Sequence, residues 1–125
     1  MASDDISCDA IMTKRDPESL LPLTPAMFYV LVAMADGATH GYAILKDVGQ
    51  LTGGDVRLST GTLYGIIKRL LGEGLIRESR EDDIRRRSYT LTAFGRDVAR
   101  AEAARLEQTL AIARKKALFK RPRNA

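Results

Sequence analysis

Apolar positions along the chain fall into four helical runs and one pair of strand-like runs, with turn residues at the joints. Thr24 and Pro25 give an N-cap and first-turn signal. Met27, Phe28, Val30, Leu31, Val32 and Met34 then predict a helix apolar on nearly all sides, ending at Asp36 and Gly37. Such a helix is buried, either in the core or across a subunit contact. Thr39, His40, Gly41 and Tyr42 open a second helix that continues through Ile44, Leu45 and Val48 to about Leu51, where Thr52, Gly53 and Gly54 break it. Asp55 to Leu58 form a turn into a third helix, in which Leu63, Ile66, Ile67, Leu70 and Leu71 make one continuous apolar stripe. Ser59, Thr60 and Thr62 put hydroxyls where its first-turn N–H groups need acceptors, and Gly74 is a left-handed terminator. Leu75–Ser79 and Ser88–Leu91 predict a two-stranded ribbon with one buried face. Thr92 caps a last helix running from Ala93 to about Phe119. The predicted organisation is therefore a flexible arm over residues 1–22, a domain over 23–92, a long helix over 93–119 and a basic tail over 120–125.

The polar positions carry the chemistry. Opposite its apolar stripe the third helix presents Thr62, Tyr64, Gly65, Lys68, Arg69 and Gly72. Small residues let a backbone approach a duplex, Tyr and Thr reach phosphates or base edges, and Lys and Arg neutralise phosphate charge. In the ribbon's turn, Glu81, Asp82 and Asp83 belong at the tip, while Arg85, Arg86 and Arg87 sit where the strand returns and where guanidinium groups clamp phosphates. The expected DNA-contacting set is Tyr42, Ser59, Thr60, Thr62, Tyr64, Gly65, Lys68, Arg69, Arg85, Arg86, Arg87 and Tyr89, with Tyr42 packed on the core and its hydroxyl near the DNA backbone. Helix, turn, helix and basic ribbon in that order are the layout of a winged helix-turn-helix, a mostly α fold with a small two-stranded β wing.

Along the last helix, Ala99, Ala103, Leu106, Leu110, Ala113 and Ala117 alternate spacings of four and three, and Val98, Ile112 and Leu118 widen this seam. So long a helix cannot bury its stripe against so small a domain, which predicts a two-fold dimer through it. The expected dimer contacts are these six seam residues with Met27, Phe28 and Leu31 of the first helix.

Charge distribution agrees. Of 125 residues with net charge +4, residues 57–96 carry nine basic and five acidic side chains, residues 114–125 carry six basic and no acidic ones, and residues 1–22 are acidic. Cys8 is the only cysteine, which excludes an intrachain disulfide and suits a reducing compartment; a cytoplasmic location is expected. No apolar run spans a bilayer and no signal-peptide pattern is present, so no membrane association is expected. His40 is the only histidine and has no second ligand at a useful spacing, so no metal is expected. Nor is any cofactor: no nucleophile–base pairing or phosphate-cradling glycine loop is evident, which argues against an enzyme.

From Leu23 to about Leu118 the chain resembles the PadR family of bacterial transcriptional regulators. The resemblance rests on LTPAMFYVLVAMADGATHGYAIL, STGTLYGIIKRLLGEGLI and RRRSYTLTAFGRDVARAEAARLE. It implies a winged-helix dimer, usually a repressor, paired through a single C-terminal helix, in which short members commonly respond to small ligands. Three positions depart from the family pattern: Thr60 stands where proline is usual, Ser88 replaces an aromatic, and Thr90 stands where a basic residue is frequent. The chain has no Trp, so the tryptophan-lined drug pocket of some members is not carried over. The expected function is sequence-specific binding of double-stranded DNA by a homodimeric repressor at a pseudo-palindromic operator, with release by a small-molecule effector. A winged helix used for protein contact, or a non-specific architectural DNA binder, are the alternatives.

Overall fold

A computed structural model describes residues 15–80 and 87–119, the side chain of Arg80 excepted. Helix α1 spans Pro25–Ala33, with Thr24 Oγ1 accepting from Met27 N at 3.1 Å. Helix α2 spans Gly41–Leu51 and closes at Thr52, whose hydroxyl donates to Val48 O at 2.9 Å and accepts from Val56 N at 3.0 Å. Helix α3 spans Thr60–Gly72, capped by Ser59 Oγ accepting from Thr62 N at 3.1 Å. Its end is a Schellman turn. Gly74 has φ 77°, its N–H reaches Leu71 O, and Leu75 N reaches Leu70 O at 2.9 Å.

The sheet has three strands where two were expected. Strands β1 (Thr39–His40), β2 (Ile76–Arg80) and β3 (Arg87–Leu91) pair antiparallel in the order β1-β3-β2. Thr39 and His40, expected to open α2, are instead extended opposite Tyr89 and Ser88, and the helix starts at Gly41. Pairing on both edges makes β3 the central strand, so Ser88 and Tyr89 are buried at successive positions. Tyr89 is only 4% exposed and belongs to the core, which removes it from the DNA-contacting set.

The core gathers Val30, Leu31 and Met34 of α1, Ile44 and Val48 of α2, Leu63, Ile67 and Leu70 of α3, and Val98 of the last helix. Met27 and Leu31, expected at a subunit contact, are buried within this core, so neither is open to a partner; Val98 is likewise turned inward. Part of the expected flexible arm is also structured. Asp16 caps a short 3-10 turn over Pro17–Leu20, and Leu20 and Leu21 pack against the core.

Helix α4 spans Ala93–Lys115. Lys116 and Ala117 end it in a second Schellman turn: Ala117 has φ 60°, its N–H reaches Arg114 O at 2.9 Å, and Leu118 N reaches Ala113 O at 3.2 Å. Ala117 therefore leaves the helix and the expected seam. Within α4, Gly95, Val98 and Glu102 face the domain, whereas Leu110 and Ile112 are exposed beyond it.

Glu102 is the one acidic side chain among the described residues that is buried, at 2% exposure. Its carboxylate accepts from Leu23 N at 3.3 Å and from Arg105 Nε and Nη2 at 2.7 and 3.0 Å. The Arg105 hydrogen bonds hold its carboxyl below the ordinary value of 4.5, against the opposing effect of burial. A depressed folded-state pKa contributes stability that is complete above the unfolded value and is lost as pH falls through the folded one. Glu102→Gln should therefore be less stable than the parent at neutral pH, by about 1–3 kcal/mol. That gap should narrow on acidification below about 4.5. Thermal unfolding across this range checks it, and a pH-independent gap would contradict the assignment.

Candidate nucleic-acid interface

The apolar stripe of α3 is buried at Leu63, Ile67 and Leu70, which turns the opposite face outward. Ser59, Thr60, Thr62, Tyr64, Gly65, Lys68 and Arg69 are all exposed there, as the spacing predicts. The two N-terminal hydroxyls are not free rotors. Ser59 Oγ accepts from Thr62 N and donates to Thr62 Oγ1 at 2.9 Å, which leaves the Thr62 hydroxyl its own hydrogen to donate.

Tyr64 is 46% exposed and is fixed by its neighbour in space. Its ring lies over Gly41 at the start of α2, so close that a Cβ there would collide with the hydroxyl. Gly41 thus leaves room for the end of the Tyr64 side chain against the start of α2, and a Cβ there would push that ring aside. Tyr42 does the opposite of what was expected. It is 76% exposed and stands clear of the core, beside Leu45, Lys46, Gly49, Arg57 and Leu58.

Of the arginine trio, Arg85 and Arg86 lie outside the described residues. Arg87 is exposed at the start of β3, its Nε 3.2 Å from Glu78 Oε2 on the neighbouring strand. The pair is an ion pair without hydrogen-bond alignment, since Glu78 Oε2 is buried and finds no hydrogen-bond partner among the described residues. The cross-strand register explains the geometry: Glu78 faces Tyr89, two residues along from Arg87. Burial and then the Glu78 carboxylate raise the Tyr89 pKa, which keeps that phenol protonated.

One structural tie escaped the sequence pattern. Arg15 Nη1 donates to the backbone oxygen of Glu73 and Nη2 pairs with its carboxylate, both at 2.8 Å, while the guanidinium sits 5.0 Å from the centre of the Phe94 ring. A cation at the C-terminal end of α3 complements the helix dipole and ties the end of this helix to α4.

An exposed polar and basic helix face, a β ribbon and a projecting helix are together on one small chain, and residues 30–101 match the model of the transcriptional regulator PadR-like family. The chain belongs to that family. That family is one of transcriptional regulators. A protein described as an uncharacterised 37.1 kDa protein in transposon Tn4556 of Streptomyces fradiae is 42% identical over 78 residues, which cover 62% of this chain and 22% of that protein. The PadR-like chain thus spans about a fifth of that relative's length. A transcriptional regulator from Clostridium thermocellum superposes with TM-score 0.65 at 21% identity, covering 92% of this chain and 97% of its own. Bacillus subtilis PadR in complex with operator DNA superposes with TM-score 0.56 at 22% identity, over 64% and 46% of the two chains. Both show the same fold. Among the described residues, no helix is long and apolar enough to cross a membrane, and no cluster of His, Cys, Asp and Glu is arranged to hold a metal ion.

Proposed function

We propose that this PadR-like protein is a repressor that binds a pseudo-palindromic operator as a homodimer, each protomer laying α3 in a major groove. The observation that carries the proposal is the outward face of α3, where Thr62, Tyr64, Gly65, Lys68 and Arg69 are exposed together on a helix whose other face is buried. Gly65 lets the backbone approach, Lys68 and Arg69 meet phosphates or guanine edges, and the hydroxyls add directional contacts. Arg85, Arg86 and Arg87 anchor the ribbon on the flanking backbone.

Dimerisation rests on the part of α4 that leaves the domain. With Met27, Leu31 and Ala117 withdrawn and Ala99 packed on the core, the remaining seam is Ala103, Leu106, Leu110 and Ala113, flanked by the exposed Ile112. Phe28 is half-buried and lines a cleft between α1 and α4 with Leu23, Pro25, Tyr29, Glu102, Arg105 and Leu106. A small-molecule effector that releases DNA would act by tilting α4 and with it the reading heads.

Footprinting the intergenic DNA beside the protein's own gene tests the reading. It should show two protected half-sites about one or two helical turns apart. Equal affinity for that DNA and a scrambled duplex would favour the architectural alternative, and no binding at low salt would favour a protein-contact role.

The Glu78–Arg87 pair gives a finer expectation. If Arg87 must leave Glu78 to reach a phosphate, Glu78→Gln should tighten binding to cognate and scrambled DNA alike, by about threefold to tenfold, the scale of ~1 kcal/mol. Anisotropy titration checks this, and weaker or unchanged binding would show that Glu78 orients Arg87 instead of competing for it.

A further inference from the structure

Residues 15–23 form a strap that joins the end of α3 to α4. At one end the Arg15 guanidinium bridges the two helices. It donates to the backbone oxygen and to the carboxylate of Glu73, the C-cap of α3, at 2.8 Å each, and lies over the ring of Phe94 in the first turn of α4. At the other end Leu23 is buried and its N–H donates to the Glu102 carboxylate at 3.3 Å, about two turns farther along α4 than Phe94. Between these anchors the chain holds its own shape. Glu18 N donates to the Asp16 carboxylate and Ser19 N to the Asp16 backbone oxygen, both at 2.9 Å, and the 3-10 turn over Pro17–Leu20 packs against α4.

The end of α3 also meets α4 directly, where Thr92 N donates to Leu75 O at 3.0 Å and Thr92 Oγ1 to Gly74 O at 2.7 Å. One such contact leaves a pivot about which α3 can swing. Arg15 adds a second attachment through a third segment of chain, and two attachments fix an angle. An exposed ion pair adds little to stability, so what this one supplies is direction. The planar fork of Arg15 reaches a carbonyl and a carboxylate while its face meets an aromatic ring, which the compact ammonium of a lysine does not do in one geometry.

We propose that the strap fixes the angle between α3 and α4, and that Arg15 is a positioning residue which makes the protein selective for the spacing of its two half-sites. This rests on the reading of a homodimer with α3 in each of two major grooves. With both heads held on paired α4 helices, the second head meets its half-site at one separation and one rotation. A base pair inserted between the half-sites moves the second by about 3.4 Å and turns it by about 35°. A stiff link penalises that mismatch, whereas a loose one spreads binding over several spacings and weakens the best of them.

The test compares the full chain with Arg15→Ala on the footprinted operator, on versions with one base pair added or removed between the half-sites, and on a duplex holding a single half-site. The parent should prefer the operator to either altered spacing by about tenfold or more. Arg15→Ala should lose about threefold to tenfold on the operator, little on the altered spacings and nothing on the single half-site, so the spacing preference shrinks by the same factor. Arg15→Lys should fall between, and it carries the same comparison should Arg15→Ala melt below the assay temperature. Spin labels attached through Lys68→Cys in a Cys8→Ser background read the distance between the two heads without DNA. That distribution should be narrow in the parent and broader with Arg15→Ala. An unchanged spacing preference and an unchanged distribution, in a parent that is selective, would overturn the strap and leave the dimer standing. Equal loss on every duplex, the single half-site included, would make Arg15 a DNA contact and would also overturn it. A parent with no spacing preference and no label-to-label distance would overturn both readings.

Discussion

Replacing Gly95 by alanine should cost the protein stability rather than any DNA contact. A Cβ at this position would be driven into the backbone oxygen of Leu75, and backbone cannot rotate aside as a side chain does. The same oxygen accepts from Thr92 N at 3.0 Å, and Thr92 Oγ1 donates to Gly74 O at 2.7 Å while accepting from Gly95 N at 2.9 Å. Relieving the collision would break this joint. Overpacking typically costs about 1–3 kcal/mol, and a collision with a carbonyl sits at or above the top of that range. Against a total stability of about 5–15 kcal/mol, the midpoint of thermal unfolding should drop by about 10 °C or more. Circular dichroism measures it directly. A variant melting with the parent would mean that α4 can move off Leu75 at no cost, and the tight joint would be wrong.

Removing Lys68 and Arg69 together should have the opposite signature, with DNA binding lost and the fold kept. Both are exposed on α3, so alanine there opens no cavity. A good side-chain contact to a base edge is worth about 1–3 kcal/mol, and each phosphate contact adds its share of released counterions. The double substitution should therefore weaken operator binding by about a hundredfold, with a smaller loss on scrambled DNA. Anisotropy titration on the footprinted operator, with melting measured in parallel, separates the outcomes. An equal loss on both duplexes would reduce the two residues to backbone contacts, and no loss would place the reading face elsewhere.

The helices and their caps were legible because their causes are local. Thr24, Ser59 and Thr92 are hydroxyl residues ahead of apolar runs, and each accepts the N–H three residues on. Gly74 suits the end of α3 because the turn takes a left-handed φ of 77°, which glycine adopts without strain. What escaped the sequence depends on contacts between distant residues. An α1 that is apolar all round does not reveal which face meets the core and which a partner, so the sequence pattern places Met27 and Leu31 at a subunit contact whereas the fold buries them in its own core. Strand β1 has two residues, too few to show a period, and without it β3 does not read as central, so the sequence pattern leaves Tyr89 outward among the DNA contacts although the fold buries it. Arg15 meets Glu73 across 58 residues, a pairing that leaves no periodic trace. Ala117 continues the seam in the sequence pattern because alanine favours helix and no glycine marks the stop.

The joint around Gly95 has a mechanical consequence. Leu75, just beyond the end of α3, and the first turn of α4 share hydrogen bonds and a backbone contact, and Arg15 braces Glu73 and Phe94 from outside. The end of α3 and the start of α4 are therefore tied together, and a tilt of one is expected to carry the other with it. With 23 residues, α4 is about 34 Å long, so a tilt of about 5° at the joint corresponds to roughly 3 Å at the far end. Read in reverse, clamping the distal turns of α4 fixes the angle of α3 to within a few degrees. In the proposed dimer the paired helices then act as a ruler, and the spacing of the two half-sites is set by the far ends of α4, tens of ångströms from any base the protein touches.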